Sequence, residues 1–436
     1  MSDITRLATT LMKLDDKLCD CMRCGLCQAV CPVFGATMKE ADVSRGKLAL
    51  LDNLAHKLIN DAEEVDEKLN RCLLCGSCQA NCPSGVKILD IFMAARQALV
   101  EYRGLNPIKK LVFRQLLTHP DLFSTAMRAA APFQGAVMRK KGAKTYDMPM
   151  LSKLIGSRHI AKLPAKSLHA TYGELRTQSS CGVTVLFFAG CMADKYYTNL
   201  GEACLKVLKH HGVGIIMPSD LTCCGIPALA SGDRTGFVKQ TEKNLAVIAR
   251  ELIGGGVDYI VTPCGSCTAT LKEWWPHYAE EFDPKDRKTI EAVASKVMDI
   301  NQFLIDVLHV DQQEAGARND APVTKVTFHD SCHLKKSLGV AAQPRKLIKQ
   351  NPNYELVEMK EADRCCGCGG SFTLFHYDLS KQIGQRKREN IVNSGAAAVA
   401  SGCPACMLQL SDMLSQNEDA VQVKHPIEIY AEMLPN

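Results

Sequence analysis

The chain has 436 residues, 46% of them hydrophobic and 23% charged, a composition typical of a soluble globular protein with two or three domains. No stretch reaches the roughly 18 apolar residues that a membrane-spanning helix needs, and no secretory signal opens the sequence. The 22 cysteines are far more than such a protein usually carries. We therefore expect a cytoplasmic protein whose reduced cysteines bind metal rather than form disulfides.

The first 102 residues carry two cysteine runs of the same design, each ending in Cys-Pro. In such a run, three cysteines two residues apart wrap one face of a cubane [4Fe–4S] cluster. The fourth cysteine lies on the next helix and ligates the other cluster. The spacing predicts one cluster on Cys21, Cys24, Cys27 and Cys82, and a second on Cys72, Cys75, Cys78 and Cys31. A pair of zinc sites is the alternative, but a zinc site formed by two Cys-x-x-Cys pairs does not need the fourth cysteine of each run.

Helical patterns surround these runs. Leu48, Leu51, Leu54 and Leu58 recur at helical spacing between residues 44 and 60, with Ser44 as the expected N-cap. A second helix is predicted over residues 86–102. Residues 1–102 are therefore expected to form an α-helical ferredoxin-type domain with two clusters.

Positive charge is concentrated in the next segment, residues 103–180. Between Arg103 and Lys166 lie 13 lysines or arginines and only two acids, Asp121 and Asp147, so this stretch is far more basic than the whole chain at +5. Prolines divide it, which predicts short helices lying over a partner or the next domain. The charge could face an anionic membrane surface, an acidic partner or solvent. Nucleic acid is not an expected partner, because no aromatic–basic platform accompanies the charge.

The remainder is an internal repeat with five cysteines in each copy. Each copy opens with an apolar strand, over residues 183–189 and 325–329, and the paired cysteines are offset by 139 to 142 residues. Strands alternate with helices, which predicts a mostly parallel sheet in each copy. The expected repeats span residues 181–310 and 323–436, joined by a polar linker over 311–322. The repeated cysteines are Cys191, Cys223, Cys224, Cys264 and Cys267 in the first copy, and Cys332, Cys365, Cys366, Cys403 and Cys406 in the second.

The repeated pattern resembles the CCG domain of heterodisulfide reductase subunits. Combined with the Cys-Pro runs, the chain resembles the iron–sulfur subunits of glycolate and lactate dehydrogenases. The C subunit of anaerobic glycerol-3-phosphate dehydrogenase and the heterodisulfide reductase D subunit share this layout. The resemblance implies an α+β multidomain fold in which a duplicated α/β CCG domain holds one or two further, non-cubane [4Fe–4S] clusters on its two five-cysteine sets. A structural zinc site in one or both copies is the alternative.

Other residues near these motifs receive simpler interpretations. His329 and His333 belong to a His-Asp-Ser-Cys-His sequence, and we expect them to pack around a turn; hydrogen bonding to cluster sulfur or proton transfer is the alternative. Cys19 is interpreted as a spare thiol. Cys181 and Cys204 are expected to be buried thiols, and Cys368 to lie near the second five-cysteine set.

The sequence has no nucleotide fingerprint, since Gly254-Gly-Gly256 follows a helix rather than a strand. The resemblance implies a subunit of an oxidoreductase complex acting on CH–OH donors. In that complex an FAD-containing subunit oxidises lactate or glycolate, and this chain passes the electrons towards a quinone, a quinone-reactive subunit or the inner face of the cytoplasmic membrane. The alternatives are a catalytic subunit that reduces a disulfide, the glycerol-3-phosphate dehydrogenase C subunit, and a zinc scaffold. No catalytic residue is identified.

Overall fold

The computed structural model describes residues 3–142, 145–149, 156–313, 318 and 322–435. Part of the basic segment and most of the expected linker lie outside these residues. None of the helices described is both long enough and apolar enough to cross a membrane.

The N-terminal region is helical, as the patterns predict. The helix expected from residue 44 spans Ser44–Ala55, and Val43 rather than Ser44 is its N-cap. The second expected helix spans Ile88–Arg103. The other helices here are Asp3–Met12, Asp15–Cys19, Leu26–Val30, Pro32–Thr37, Ala62–Asn70 and Ser77–Ala80, with a 3₁₀ turn at Glu40–Asp42.

The basic segment lies against both repeats. Arg114 forms an ion pair with the buried Asp233 of the first repeat, with an Nη2–Oδ1 distance of 2.7 Å. The backbone N–H of His159 donates to Asp412 of the second repeat over 2.9 Å. The segment contains the helices Pro107–Leu111, Pro120–Ala130, Gln134–Val137 and Leu168–Tyr172, a π-helical turn at Val112–Leu116, a 3₁₀ turn at Ala131–Phe133, and the antiparallel strands β1 (Arg139–Lys140) and β2 (Tyr146–Asp147).

The first repeat is built on a five-stranded sheet in the order β3-β5-β4-β6-β7. Strands β4 to β7 are parallel, as predicted, and β3 adds an antiparallel edge. The strands are β3 Leu175–Arg176, β4 Thr184–Phe187, β5 Gly214–Met217, β6 Tyr259–Thr262 and β7 Val297–Asp299. The helices are Gly190–Lys195, Thr198–His210, Ile226–Ala230, Arg234–Ile253, Gly265–Ala269, Trp275–His277, Pro284–Lys296 and Ile300–Asp306, with a π-helical turn at Thr270–Trp274 and 3₁₀ turns at Ala279–Glu281 and Val310–Gln312.

The second repeat has a four-stranded parallel sheet in the order β11-β10-β8-β9, the same arrangement as β7-β6-β4-β5. The strands are β8 Thr324–His329, β9 Tyr354–Leu356, β10 Ala398–Ser401 and β11 Gln422–Lys424. The helices are Ala342–Lys349, Ser371–Phe375, Tyr377–Asn393, Pro404–Gln416 and Pro426–Ala431, with a π-helical turn at His333–Ser337. The sheets therefore show the duplication that the cysteine offsets predict.

The ferredoxin-type region shares a core with the first repeat. Ile91 and Phe92 are buried in the same cluster as Phe237 and Trp275. Arg96, on the same helix as Phe92, is buried and donates to the carbonyl oxygens of Leu69, Cys72 and Ala230 at 2.5, 2.8 and 2.5 Å. Its guanidinium thus ties the second cysteine run to the first repeat.

We predict that Arg96→Met lowers the free energy of unfolding by about 3 kcal/mol, because three buried carbonyl groups lose a charged donor. The matched control is Arg103→Met on the same helix, where a partly exposed guanidinium pairs with Glu63 and Asp66. That change should cost less than about 1 kcal/mol. Urea denaturation followed by circular dichroism measures both, and equal losses would contradict the role assigned to Arg96.

Candidate metal centres

Parallel strands bring the repeated cysteines to one edge of each sheet. In the first repeat, Cys191 follows β4, Cys223 and Cys224 follow β5, and Cys264 follows β6. The carboxyl ends of parallel strands share one edge, so these side chains converge there. Cys264 and Cys403 stand at the N-caps of the helices that follow β6 and β10, where the helix dipole favours an anionic sulfur.

The five sulfurs of the first set form a continuous group. Cys223 contacts Cys191 and Cys224, Cys224 contacts Cys267, and Cys267 contacts Cys264. Four of the five are buried and Cys191 is half-buried. The structure therefore brings together every cysteine of the first set.

The second set has the same arrangement. Cys365 contacts Cys332 and Cys366, while Cys406 contacts Cys366 and Cys403. The two sets also touch each other, because Cys264 lies within hydrogen-bond distance of Cys403. The backbone supports this junction, since the Gly265 N–H donates to the Gly402 carbonyl over 3.1 Å.

The second ferredoxin-type run meets the second five-cysteine set. Cys75 contacts both Cys332 and Cys365. Cys78 faces Cys72, Cys75 and Cys31, so the fourth cysteine of the first run lies among those of the second. This grouping is the one that the Cys-Pro spacing predicts for the second cubane.

The loops of both runs have matching backbone conformations. Arg23 and Leu74, one residue before the second cysteine of each run, have φ angles of +57° and +52°. The glycine after that cysteine also has positive φ, +88° at Gly25 and +69° at Gly76. A non-glycine residue in the left-handed region is costly, so its presence at both equivalent positions marks a shape that the loops must keep.

The first run is the most accessible part of the centre. Cys24 is exposed, and Cys21, Cys27 and Cys82 are half-buried. Arg45 is the charged side chain that faces Cys24 and Cys27. The helix Leu26–Val30 packs against Ser77–Ala80, which Cys82 follows by two residues. The joint ligation of one cluster by these four cysteines stays a prediction.

Buried lysines face the sulfurs, and sequence reasoning missed them. Lys47 faces Cys72 and Cys31, and burial lowers the pKa of its ammonium group. Burial also lowers the pKa of Lys387 to about 8, while nearby Cys366, Cys332 and Cys365 oppose that change. A single lysine belongs to no recognisable sequence motif, so only the fold shows that these charges lie beside the sulfurs. They offset the negative charge that a thiolate cluster brings into the interior.

A third lysine bridges two of the cysteine groups. Lys336 donates to Ser77 Oγ over 2.5 Å, and Ser77 Oγ lies 3.4 Å from Cys75 Sγ. Burial opposes its charged form, but the adjacent sulfurs of Cys332 and Cys75 raise the pKa of Lys336 above its usual value. A positive charge therefore sits where the second ferredoxin-type run meets the second repeat.

Three polar residues lie close to the sulfur groups, of which His425 and Asp299 are buried and His333 is half-buried. His333 Nδ1 lies 2.9 Å from Ser266 Oγ, and burial lowers the pKa of the imidazole. His425, after β11, and Asp299, at the end of β7, both lie near Cys403. Burial lowers the pKa of His425 to about 3 and raises that of Asp299 to about 7. Neither was singled out from the sequence, because a single His or Asp at a strand end carries no distinctive pattern.

The remaining cysteines divide as follows. Cys19 is exposed, consistent with a spare thiol, and Cys204 is buried as expected. The expectation for Cys181 is wrong: this thiol is exposed, because it lies in the turn before β4 rather than in the strand. Cys368 is buried and faces Cys366, so it lies beside the second set.

The donor sets fit iron–sulfur clusters. Every cysteine is free, and soft sulfur ligands in groups of four and five suit iron–sulfur clusters. A tetrahedral zinc ion takes four ligands and would leave one sulfur of each five-cysteine set unused. Such clusters would supply one-electron transfer at each site, and the lysines described above would balance their charge.

Two families of known proteins match parts of this chain. Residues 185–272 and 326–411 match the family described as "Cysteine-rich domain" (CCG), and residues 17–86 match "4Fe-4S dicluster domain".

Three curated relatives have similar sequences. The chain is 28% identical to the "Probable glycolate oxidase iron-sulfur subunit" of Bacillus subtilis (strain 168), over 91% of this chain and 89% of that protein. It is 32% identical to "Lactate utilization protein A" of Exiguobacterium sp. (strain ATCC BAA-1283 / AT1b), over 57% of this chain and 97% of that protein. It is 27% identical to a subunit of the fumarate reductase (CoM/CoB) of Methanothermobacter marburgensis, over 92% of this chain and 69% of that protein.

Paired serine substitutions test which cysteines share a cluster. We predict that Cys31→Ser with Cys75→Ser loses no more iron than either change alone, because both remove one cluster. Cys31→Ser with Cys24→Ser should lose iron from two clusters. Iron and sulfide analysis with EPR of the reduced protein gives the result, and Cys19→Ser is the control with full iron content. Additive iron loss in the first pair would contradict the shared cluster.

Proposed function

We propose that this chain, which belongs to the CCG-domain family of iron–sulfur subunits that includes glycolate oxidase iron–sulfur subunits and lactate utilization protein A, transfers electrons within an oxidoreductase complex. A partner subunit with bound FAD oxidises a 2-hydroxy acid such as lactate or glycolate. The chain receives these electrons and passes them towards a quinone or another acceptor. We place two cubane clusters on the ferredoxin-type runs and two non-cubane clusters on the five-cysteine sets.

The observation that carries this proposal is the unbroken series of sulfur contacts. It runs from the second ferredoxin-type run through Cys75 to Cys332, across the second set to Cys403, and through Cys264 into the first set. Clusters on these cysteines would be close neighbours, as stepwise electron transfer requires. The first run, with Cys24 exposed, is the end that a partner protein can reach.

The curated relatives favour electron transfer over disulfide reduction. They include an iron–sulfur subunit named for glycolate oxidase and a protein named for lactate utilization. We therefore rank the heterodisulfide reductase-like function second.

Purification of the native complex tests the proposal. We expect a flavoprotein to copurify with this chain and lactate or glycolate to reduce an artificial dye through the complex. In the Cys332→Ser variant the flavoprotein should stay bound and substrate should still reduce its flavin. Electron transfer from the flavin to the iron–sulfur clusters should be at least tenfold slower. Cys204→Ser, a buried thiol outside the sulfur series, is the matched control. Turnover of a thiol–disulfide couple without flavin would favour the second function instead.

The basic segment supports attachment to an anionic membrane surface. Ile108, Leu111 and Phe133 are exposed, and the exposed Lys110 and Lys140 accompany them. Exposed apolar side chains beside lysines are typical of a surface that inserts shallowly between lipid headgroups. We propose that these exposed residues, above all Ile108, Lys110 and Leu111 on one short helix, hold the complex at the membrane.

Vesicle sedimentation tests this attachment. Lys110→Glu with Leu111→Ser should lower the affinity for phosphatidylglycerol vesicles at least fivefold, since each basic residue contributes about 1 kcal/mol at such a surface. Lys57→Glu with Leu58→Ser, an exposed pair in the ferredoxin-type region, is the control. Added salt should weaken binding, and phosphatidylcholine vesicles should bind weakly. Equal losses for both variants would contradict the assigned face.

A further inference from the structure

One buried side chain distinguishes the two five-cysteine sets. His329 ends β8, three residues before Cys332, and is fully buried. The equivalent position in the first repeat, three residues before Cys191, is the buried Phe188. The second set therefore has an imidazole where the first has only a hydrocarbon ring.

The imidazole points at sulfur. A ring nitrogen of His329, Cys366 Sγ and Cys406 Sγ all lie within 4.8 Å of one another, a spacing that allows one metal ion among them. His329 Nε2 is buried and makes no hydrogen bond to a nitrogen or oxygen atom, and the ring lies close enough to Cys366 to interact with its sulfur. A buried nitrogen whose neighbours are sulfur atoms is poorly satisfied by the protein alone, so it calls for an explanation.

The other ring nitrogen fixes the tautomer. His329 Nδ1 lies 3.2 Å from the carbonyl oxygen of Ala362. A carbonyl oxygen only accepts, so Nδ1 carries the proton. In the neutral ring, Nε2 then presents a lone pair to Cys366 and Cys406. Metal-bound histidines commonly have this arrangement, with one nitrogen donating to a carbonyl group and the other binding the metal.

A buried lysine shares the carbonyl group that the ring engages. The ammonium group of Lys387 donates to the same Ala362 oxygen over 3.2 Å and to the Glu361 oxygen over 2.6 Å. These contacts hold the Ala362 carbonyl group in place beside the ring.

We propose that His329 is an iron ligand of the second five-cysteine set, bound through Nε2, so that this set holds its metal with nitrogen as well as sulfur. Because Nδ1 keeps its proton, the bond uses the Nε2 lone pair and releases no proton. The first set, with Phe188 at the equivalent place, binds through sulfur alone. A neutral imidazole adds a ligand without adding negative charge, so the cluster of the second repeat would differ in reduction potential from the all-sulfur cluster of the first.

This inference rests on the proposed iron–sulfur function and can be tested apart from activity. The full-length protein is purified anaerobically with ¹⁵N-labelled histidine, and pulsed EPR is recorded in both the oxidised and the one-electron-reduced states. We expect a strong ¹⁵N hyperfine coupling of a directly bonded nitrogen. His329→Phe, which copies the first repeat, should abolish this coupling and shift the midpoint potential of one cluster.

His333→Phe is the matched control, because the half-buried His333 also flanks Cys332 but engages Ser266. It should retain the strong coupling.

Absence of that coupling in the labelled wild-type protein in both states overturns the inference, even if His329→Phe fails to fold. A weak coupling with an exchangeable proton on Nε2 also overturns it, since that result identifies a hydrogen bond to sulfur. If iron and substrate-dependent dye reduction are present without the coupling, only this inference fails; if iron is absent, the proposed function fails as well.

Discussion

The contact between sulfur groups from different domains is the constraint on which this structure depends. Cys75 belongs to the helical N-terminal region, yet it lies against Cys332 and Cys365 of the second repeat. Cys264 and Cys403 join the two repeats in the same way. These contacts require the helical region and both sheets to pack in one arrangement. The shared core of Phe92 with Phe237 and the buried guanidinium of Arg96 stabilise that arrangement.

Positive charge near the sulfurs balances the negative charge that a group of thiolates would bring into the interior. A cysteine ligand binds metal as a thiolate, and thiolates in a low-dielectric interior need compensation. Lys47, Lys336 and Lys387 supply it from three different segments, each at a different sulfur group. Lys336 lies where two groups meet, so its charge acts on both. The three lysines are therefore part of the candidate metal centre, since they balance the charge of the cysteine ligands.

Duplication explains the architecture, while departures from symmetry give the two repeats different properties. Both sheets have the same strand order, and both bring five cysteines to the carboxyl edge. The first repeat adds the antiparallel strand β3 and is covered by Leu117 and Phe123 of the basic segment. The second repeat contacts the ferredoxin-type run through Cys332 and carries His329 instead of Phe188. The repeat that contacts the second ferredoxin-type run is therefore also the one with an imidazole beside its five cysteines.

The sequence by itself determined the helical N-terminal region and the duplicated parallel sheets, because these features follow from local spacing and periodicity. The Cys-Pro spacing assigns Cys31 to the second run, and Cys31 lies near Cys72, Cys75 and Cys78; that they ligate one cluster stays a prediction. It missed the N-cap of the helix that begins at Ser44 and the exposure of Cys181, which depend on one or two residues at the end of an element. Only the tertiary structure decided that Cys75 meets Cys332, that Lys336 lies near both and that His329 lies against the sulfur of Cys366. Those facts join residues that lie far apart in the chain, and no local pattern in the sequence records them.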